Sequence, residues 1–424
     1  MISVKSLSTK VTQVTSGLMF PATMWFASRA LILTAMLLVA PLLPAPHKGV
    51  AATFGLGVFA HWDSEHYFNI ATSGYNYVNG RGNVVFFPLY PLIIRALTHI
   101  GLSFEVAGIL VSNLAFLIFL YVLYLWLNEH LGEKVARWTV ALAALFPLSM
   151  FTAVIYTEAL YLLLSTAALR AFDQNKHIQT AIFGALATAT RPTGIALIPG
   201  LMLAAWKQKK SPKAYIAGLA TSIGVVCFSI YCALQYRDPL AFVHAQKAWR
   251  DNVGGFEWRL WWKMLMQITV GIQNYKHGGL KDITHPLIFL IIIGCGYLLW
   301  RYRNKFSYAK VDYGFGILLL GLWLLAGDPL INTGFFIVSI VLLWHYRREL
   351  TPATLFYGLC GMAMLLLSGG TMSLSRLVYG IVPTIVACGI LLARYPRWGY
   401  MSISFFAVLL FLFSIRFAQG LWVG

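Results

Sequence analysis

Apolar residues in this 424-residue chain gather in long unbroken runs, not at the spacing of half-buried helices or strands, and many runs approach the length a bilayer demands. Lipid offers no partner to a free backbone N–H or C=O, so each run is predicted to be a helix. Thirteen are expected, over about 24–45, 104–127, 136–151, 154–171, 178–190, 194–206, 214–235, 285–300, 313–326, 329–345, 353–368, 377–393 and 400–416. The fifth and sixth are short and are broken by Arg191-Pro192. Two longer polar stretches intervene, 46–103 and 237–284, and neither reads as a separate soluble domain. The expectation is therefore one polytopic, all-α membrane domain over 1–424.

Composition excludes the ordinary soluble enzyme: 59% of residues are hydrophobic and 11% charged, where a soluble domain carries about 25% charge. The net charge of +18 would suggest a nucleic-acid partner in a soluble chain. Here the cations punctuate apolar runs, so no nucleic acid is expected. With the N-terminus cytoplasmic, alternate segments collect nineteen of the 32 Lys and Arg, Lys5, Lys10 and Arg29 among them. Seven of the other thirteen fall in 237–284, a stretch long enough to escape the positive-inside rule. The excess is mainly topological. On the same map nine of the fourteen acids, including Asp63, Glu65 and Glu158, face away from the cytoplasm. That face is where carboxylate chemistry is to be sought.

The five cysteines lie in apolar stretches without metal-ligand spacing and read as core residues. In FEWRLWWKMLMQI, Trp258, Trp261 and Trp262 recur at helical spacing between Arg259 and Lys263, which predicts a helix lying in the membrane interface. It would serve as an aromatic anchor or as a wall for an isoprenoid lipid.

The first polar stretch brings His61, Asp63, Glu65 and His66 together among aromatics at a membrane boundary. Sugar transfer from a lipid phosphate needs one carboxylate, to take the proton of the attacking hydroxyl; phosphate leaves without an acid. A hydrolase needs two carboxyl groups flanking one bond. Asp63 and Glu65 are two residues apart, about 200° apart on a helix or on one face of a strand, an arrangement poorly suited to flanking. The alternative is a solvated acidic loop whose histidines cap or hydrogen-bond. There is no DxD pair, Gly-rich phosphate loop or His cluster, so neither a metal nor another cofactor is expected.

HWDSEHYFNIATSGY with FFPLYP, then FPLSMFTAVIYTEALYLLLS, RPTG, DPLAFVHAQKAW and SRLVYGIVP, in this order from about 59 to 383, closely resemble the PIG-V family of membrane mannosyltransferases within the GT-C superfamily. The combination of the first two motifs is specific; RPTG or SRL alone would be weak. The resemblance implies a GT-C-type fold and a metal-independent transferase that takes mannose from a polyprenyl- or dolichyl-phosphate donor on the non-cytoplasmic face. It implies that the family's Trp-Asp pair falls on Trp62 and Asp63, with Trp62 in the substrate pocket, Asp63 as catalytic base and Glu65 as the competing base. His66 matches the family's motif histidine and would orient Asp63, touch the donor phosphate, or act as a structural hydrogen bonder.

The remaining candidates carry two readings each. Phe87 and Tyr90 in FFPLYP either pack or line the sugar or lipid pocket. Arg191 before Pro192 suits a lipid phosphate through its bidentate fork, or serves as a salt bridge or snorkelling anchor. Glu158 sits at a helix start, where the dipole and a Thr157 cap would favour it; alternatively it pairs with Arg191 or binds acceptor hydroxyls. Arg376 and Lys247, ranked behind Arg191, and His244 beside them, are further phosphate or pocket candidates, with surface anchoring as the rival reading. A lipid or sugar transporter would instead place polar residues at the membrane midplane. A scaffold that has lost turnover is the second rival. Short loops without an N-x-S/T sequon suit a bacterial plasma membrane, against the endoplasmic reticulum for eukaryotic relatives. Acceptor, hexose and oligomeric state stay open.

Overall fold

A helix forms within each of the thirteen apolar runs in the computed structural model, which describes residues 4–248 and 255–423, with side chains from Met19 onward except 247–254. Helix α1 (Val4–Leu33) continues through a π turn and a 3₁₀ turn to Leu42. Beyond it come α2 (Asp63–Ser73), α3 (Leu89–His99), α4 (Phe104–Leu131), α5 (Glu133–Leu145), α6 (Glu158–Asp173) and α7 (His177–Thr188). Next are α8 (Leu197–Lys207), α9 (Pro212–Ala220), α10 (Ile223–Tyr236), α11 (Ala241–His244), α12 (Trp258–Thr269) and α13 (Ile272–His277). The chain ends with α14 (Thr284–Arg301), α15 (Tyr308–Ala326), α16 (Asp328–His345), α17 (Pro352–Leu366), α18 (Leu374–Tyr379), α19 (Val382–Arg394) and α20 (Pro396–Ala418).

Among the described residues, seven stretches have the length and apolarity to cross a bilayer: Met19–Leu42, Phe104–Leu131, Pro212–Tyr236, Thr284–Arg301, Tyr308–Ala326, Asp328–His345 and Pro396–Ala418. The other expected spans are shorter, because helices stop at breakers. Phe146-Pro147 ends α5 and Arg191-Pro192 separates α7 from α8. At 1.5 Å per residue the 12 residues of α7 cover about 18 Å of a hydrocarbon core of about 30 Å.

Helices α4, α5, α6, α17 and α19 carry much of the buried core, while α14 and α15 bury no residue and form a peripheral pair. Close backbone approach sets some of the packing. At Gly200 on α8 a Cβ would lie 2.7 Å from the Tyr357 Cα on α17, and backbone cannot yield as a side-chain tip can. Gly200→Ala is expected to destabilise the protein by about 1–3 kcal/mol, read as a lowered unfolding temperature in nanodiscs.

One assignment changes at this level. Arg29, counted above with the cytoplasmic cations, is buried inside the first span, with its guanidinium 4.4 Å from the Phe116 ring and Nη2 donating to Thr152 Oγ1 at 2.8 Å. It is a bundle residue and leaves the loop tally.

The polar stretch 46–103 is compact. An antiparallel hairpin pairs Tyr77 with Gly82 and Val78 with Arg81, turning at Asn79 and Gly80, both at positive φ (50° and 75°) as a two-residue primed turn requires. Asn83 locks it by accepting from the Asn76 N–H and donating its own N–H to Asn76 Oδ1.

Candidate active site

Four breaks in helical structure converge here: the start of α2 after Trp62, the start of α6 at Glu158, the extended link between α7 and α8, and the start of α18 after Ser373. Trp62 stands at φ 60°, ψ −114°, a conformation costly for a bulky residue, and turns the chain sharply into α2. The turn is stitched to the segment before α6. The Asp63 N–H donates to Tyr156 Oη at 3.2 Å, Tyr156 Oη donates to the His61 carbonyl at 3.2 Å, and Ser64 Oγ donates to the Ile155 carbonyl at 3.1 Å.

The charged side chains form one alternating line. Asp63 Oδ2 accepts from Arg376 Nη2 at 2.8 Å, Arg376 Nε donates to Glu158 Oε1 at 2.5 Å, and Arg191 Nη1 lies 2.5 Å from that same oxygen. Glu158 is wholly buried, and among the described residues its Oε2 has no hydrogen-bond partner. Asp63 keeps 19% of its side chain accessible, enough for a substrate hydroxyl to reach it. The Arg376 guanidinium rests over Phe151 and Tyr156, 4.5 and 4.6 Å from the ring centres, where the π faces help hold a desolvated cation. Arg191 is extended (φ −152°, ψ 148°), as the residue before a proline is driven to be.

The line borders a cavity of about 1160 Å³. Trp62, Asp63, Glu65, His66, Phe87, Arg191 and Arg376 all lie in its wall. The cavity is mixed in character: its wall holds cations and carboxylates together with Phe86, Phe242, Ile195 and Met364. Glu65 is exposed. His66 stacks on Phe86 (4.6 Å, 17°), and burial pushes its pKa below the usual histidine range against the upward pull of Asp63 and Glu65, so the ring is neutral at neutral pH. Phe87 is buried against Phe228 and Phe242, filling the angle between the first loop and α10–α11.

Several expectations are corrected by these positions. Tyr90 is fully buried away from the described wall, donating to the Gly108 carbonyl (3.1 Å) and paired with Ser112 Oγ (2.8 Å); it is a packing residue. Thr157 makes no cap bond for α6, and Glu158 is wholly buried outside the described wall, so both the capping account and the acceptor-binding reading of Glu158 give way to pairing with two arginines. Arg376 is 6% exposed and bonded to Asp63, which removes the surface-anchor reading and puts it ahead of Arg191 in contact with the carboxylate. His244 is exposed, outside the described wall, and bonded through Nδ1 to Asp238 Oδ2 at 2.8 Å; its neighbours Phe242, Val243 and Gln246 line the cavity in its place. The side chain of Lys247 lies outside the described residues. Helix α12 contributes nothing to the described wall: Trp261 packs on Phe336 (4.9 Å) while Trp258 and Trp262 are exposed, so the lipid-wall reading has no support from this cavity. Among the described residues no three His, Cys, Asp or Glu side chains gather as metal ligands.

Among the residues given no role from sequence are Tyr156 and Trp422. Tyr156 lies within the matched motif YTEALY, which could have flagged it. Trp422, in the wall beside Trp62, carries no motif signal.

Residues 13–238 match the model of the family described as mannosyltransferase (PIG-V). The human GPI alpha-1,6-mannosyltransferase 2 is 31% identical over 159 residues, covering 35% of this chain and 31% of the relative. The Drosophila melanogaster GPI mannosyltransferase 2 is 38% identical over 73 residues, 17% of this chain and 15% of that protein. The matched stretch thus spans about a third or less of these curated relatives. Among solved structures, the oligosaccharyltransferase of Archaeoglobus fulgidus in its apo form aligns at TM-score 0.47 and 11% identity, over 95% of this chain and 56% of that one. ArnT from Cupriavidus metallidurans bound to undecaprenyl phosphate aligns at TM-score 0.38 and 14% identity, over 91% and 78%.

Proposed function

The chain belongs to the PIG-V mannosyltransferase family, and from that premise we propose that it is an inverting membrane glycosyltransferase. It moves mannose from a polyprenyl-phosphate donor to a hydroxyl of a lipid-linked or other acceptor, on the non-cytoplasmic face. The supporting observation is the line Asp63–Arg376–Glu158–Arg191, in which Asp63, Arg376 and Arg191 lie in one cavity wall and the buried Glu158 ties the two arginines together behind it. It sets a single reachable carboxylate at one end and a cation at the other.

Asp63 Oδ2 is held by Arg376, and among the described residues Oδ1 makes no hydrogen bond, so Oδ1 takes the acceptor proton. The acceptor oxygen attacks the anomeric carbon, the bond from that carbon to the phosphate oxygen breaks, and the electron pair leaves on the lipid phosphate. Arg191, with Arg376 beside it, neutralises that charge as it develops. The side chains supply both proton and charge handling, and no cofactor is invoked. One displacement with one base inverts the anomeric configuration, so a β-linked donor gives an α-linked product. A cavity of about 1160 Å³ exceeds the roughly 300–1,000 Å³ of small-ligand sites, as a sugar phosphate with the start of an isoprenoid tail requires.

The test is transfer of label by the full chain in nanodiscs from radiolabelled polyprenyl-phosphate mannose into a native lipid extract. Label is expected in a new glycolipid fraction. Absence of transfer from any lipid-phosphate hexose, with faster movement of lipid across vesicles, would identify a transporter instead.

A further inference from the structure

Trp62 combines three properties rarely found together. Its backbone is strained, the residue is 42% exposed, and its next neighbour is Asp63, the accessible carboxylate of the ion-pair line. A bulky residue at φ 60°, ψ −114° costs on the order of 1–3 kcal/mol and persists only where its surroundings hold it. Glycine would take that conformation without penalty. The ring meets Trp422 edge to face, 5.1 Å between centres at 83°, and both line the cavity.

Trp422 is itself held in place. The segment after α20 clasps the first loop: the Val50 N–H donates to the Gln419 carbonyl at 2.8 Å, Gln419 Nε2 donates to the Pro44 carbonyl at 3.2 Å, and His61 Nε2 lies 3.3 Å from the Ala418 carbonyl. Arg416 Nη2 donates to the Trp422 carbonyl at 3.3 Å. Two aromatic planes at a right angle thus form a corner built from segments far apart in sequence.

Contacts run in one order: Trp422, Trp62, Asp63, Arg376, Glu158, Arg191. In an in-line displacement the base stands on the acceptor's side of the anomeric carbon and the phosphate on the other. The corner, next to Asp63 and at the opposite end of that order from Arg191, therefore belongs to the acceptor. Resting on the transfer reaction proposed above, we infer that Trp62 and Trp422 determine acceptor specificity by receiving the C–H face of a pyranose or cyclitol ring, so that its hydroxyl meets Asp63. An apolar ring face against an aromatic plane, with a carboxylate at its edge for the hydroxyl, is the chemistry such a corner suits. Trp422 lies beyond the family-matched region 13–238.

The test uses the full chain in nanodiscs with polyprenyl-phosphate mannose and octyl α-mannoside as acceptor probe. Trp62→Ala and Trp422→Ala are each expected to raise the acceptor KM about tenfold, with a much smaller change in donor KM. Trp62→Gly should raise acceptor KM as much while its unfolding temperature stays at or above that of the natural protein, since the strain is relieved. Trp62→Phe should recover part of the loss. Saturation-transfer NMR with methyl α-mannoside, which needs no turnover, should show ring C–H signals that vanish in both alanine variants. If transfer fails but these signals appear, the corner stands and the donor reading falls. Unchanged acceptor KM with no NMR signal, an equal or larger rise in donor KM, or a marked loss of stability in Trp62→Gly would overturn the assignment.

Discussion

Asp63→Asn is expected to reduce sugar transfer by about 10²–10⁴-fold while the protein stays folded, measured with labelled polyprenyl-phosphate mannose and thermal unfolding of the same preparation. Asparagine keeps the shape and one oxygen to accept from Arg376, so the contact that now measures 2.8 Å need not be lost. What it lacks is basicity. Arg376 also remains bonded to Glu158, so no buried cation is stranded, and this separates loss of the base from loss of structure. Glu65→Gln serves as the contrast: Glu65 lines the same cavity but is exposed and, among the described residues, outside the ion-pair line, so transfer should fall only a few-fold. Undiminished transfer in Asp63→Asn, or a greater loss in Glu65→Gln, would move the base to Glu65.

Much of the helical framework was legible because lipid leaves a spanning chain few options, and apolar runs with Pro and Gly breakers mark where helices stop. The gathering of Trp62, Asp63, His66, Phe87, Arg191 and Arg376 around one cavity was foreshadowed by motif order and by the face on which their segments were expected. Pairing partners were less legible. Nothing in SRLVYG says that Arg376 spans 313 residues to reach Asp63, nor that it and Arg191 share one oxygen of Glu158. Such contacts depend on how helices lean together, whereas periodicity reports only each helix's own faces. Arg29 fails for the opposite reason: a cation at the start of an apolar run looks like a loop residue until the run is seen to begin ten residues earlier, at Met19. The Asn79-Gly80 hairpin was written in the sequence, yet among long apolar runs a two-residue signal is easily passed over. The closing segment's grip on the first loop uses backbone carbonyls of Pro44, Ala418 and Gln419, which carry no side-chain signature.

Glu158→Gln is expected to destabilise the protein by about 3–5 kcal/mol, the largest stability effect of any single site substitution, read as a lowered unfolding temperature or denaturant midpoint. The carboxylate is wholly buried and serves two guanidinium groups through one oxygen. Its neutral amide leaves Arg376 with Asp63 alone, and leaves Arg191, nearly buried, with no opposite charge among the described ion pairs. Desolvation without compensation is what makes such a change costly, and two outcomes follow that a simple packing defect would not produce. An anion of the donor's chemistry should restore the missing charge, so polyprenyl phosphate should raise the unfolding temperature of Glu158→Gln more than that of the natural protein. Removing the stranded cation should also help: Glu158→Gln with Arg191→Met should be more stable than Glu158→Gln alone, because an apolar side chain costs less there than an unpaired charge. The double variant should then lose the extra stabilisation by polyprenyl phosphate. If phosphate stabilises all three proteins equally, Arg191 does not hold the donor and the charge it balances is Glu158 alone.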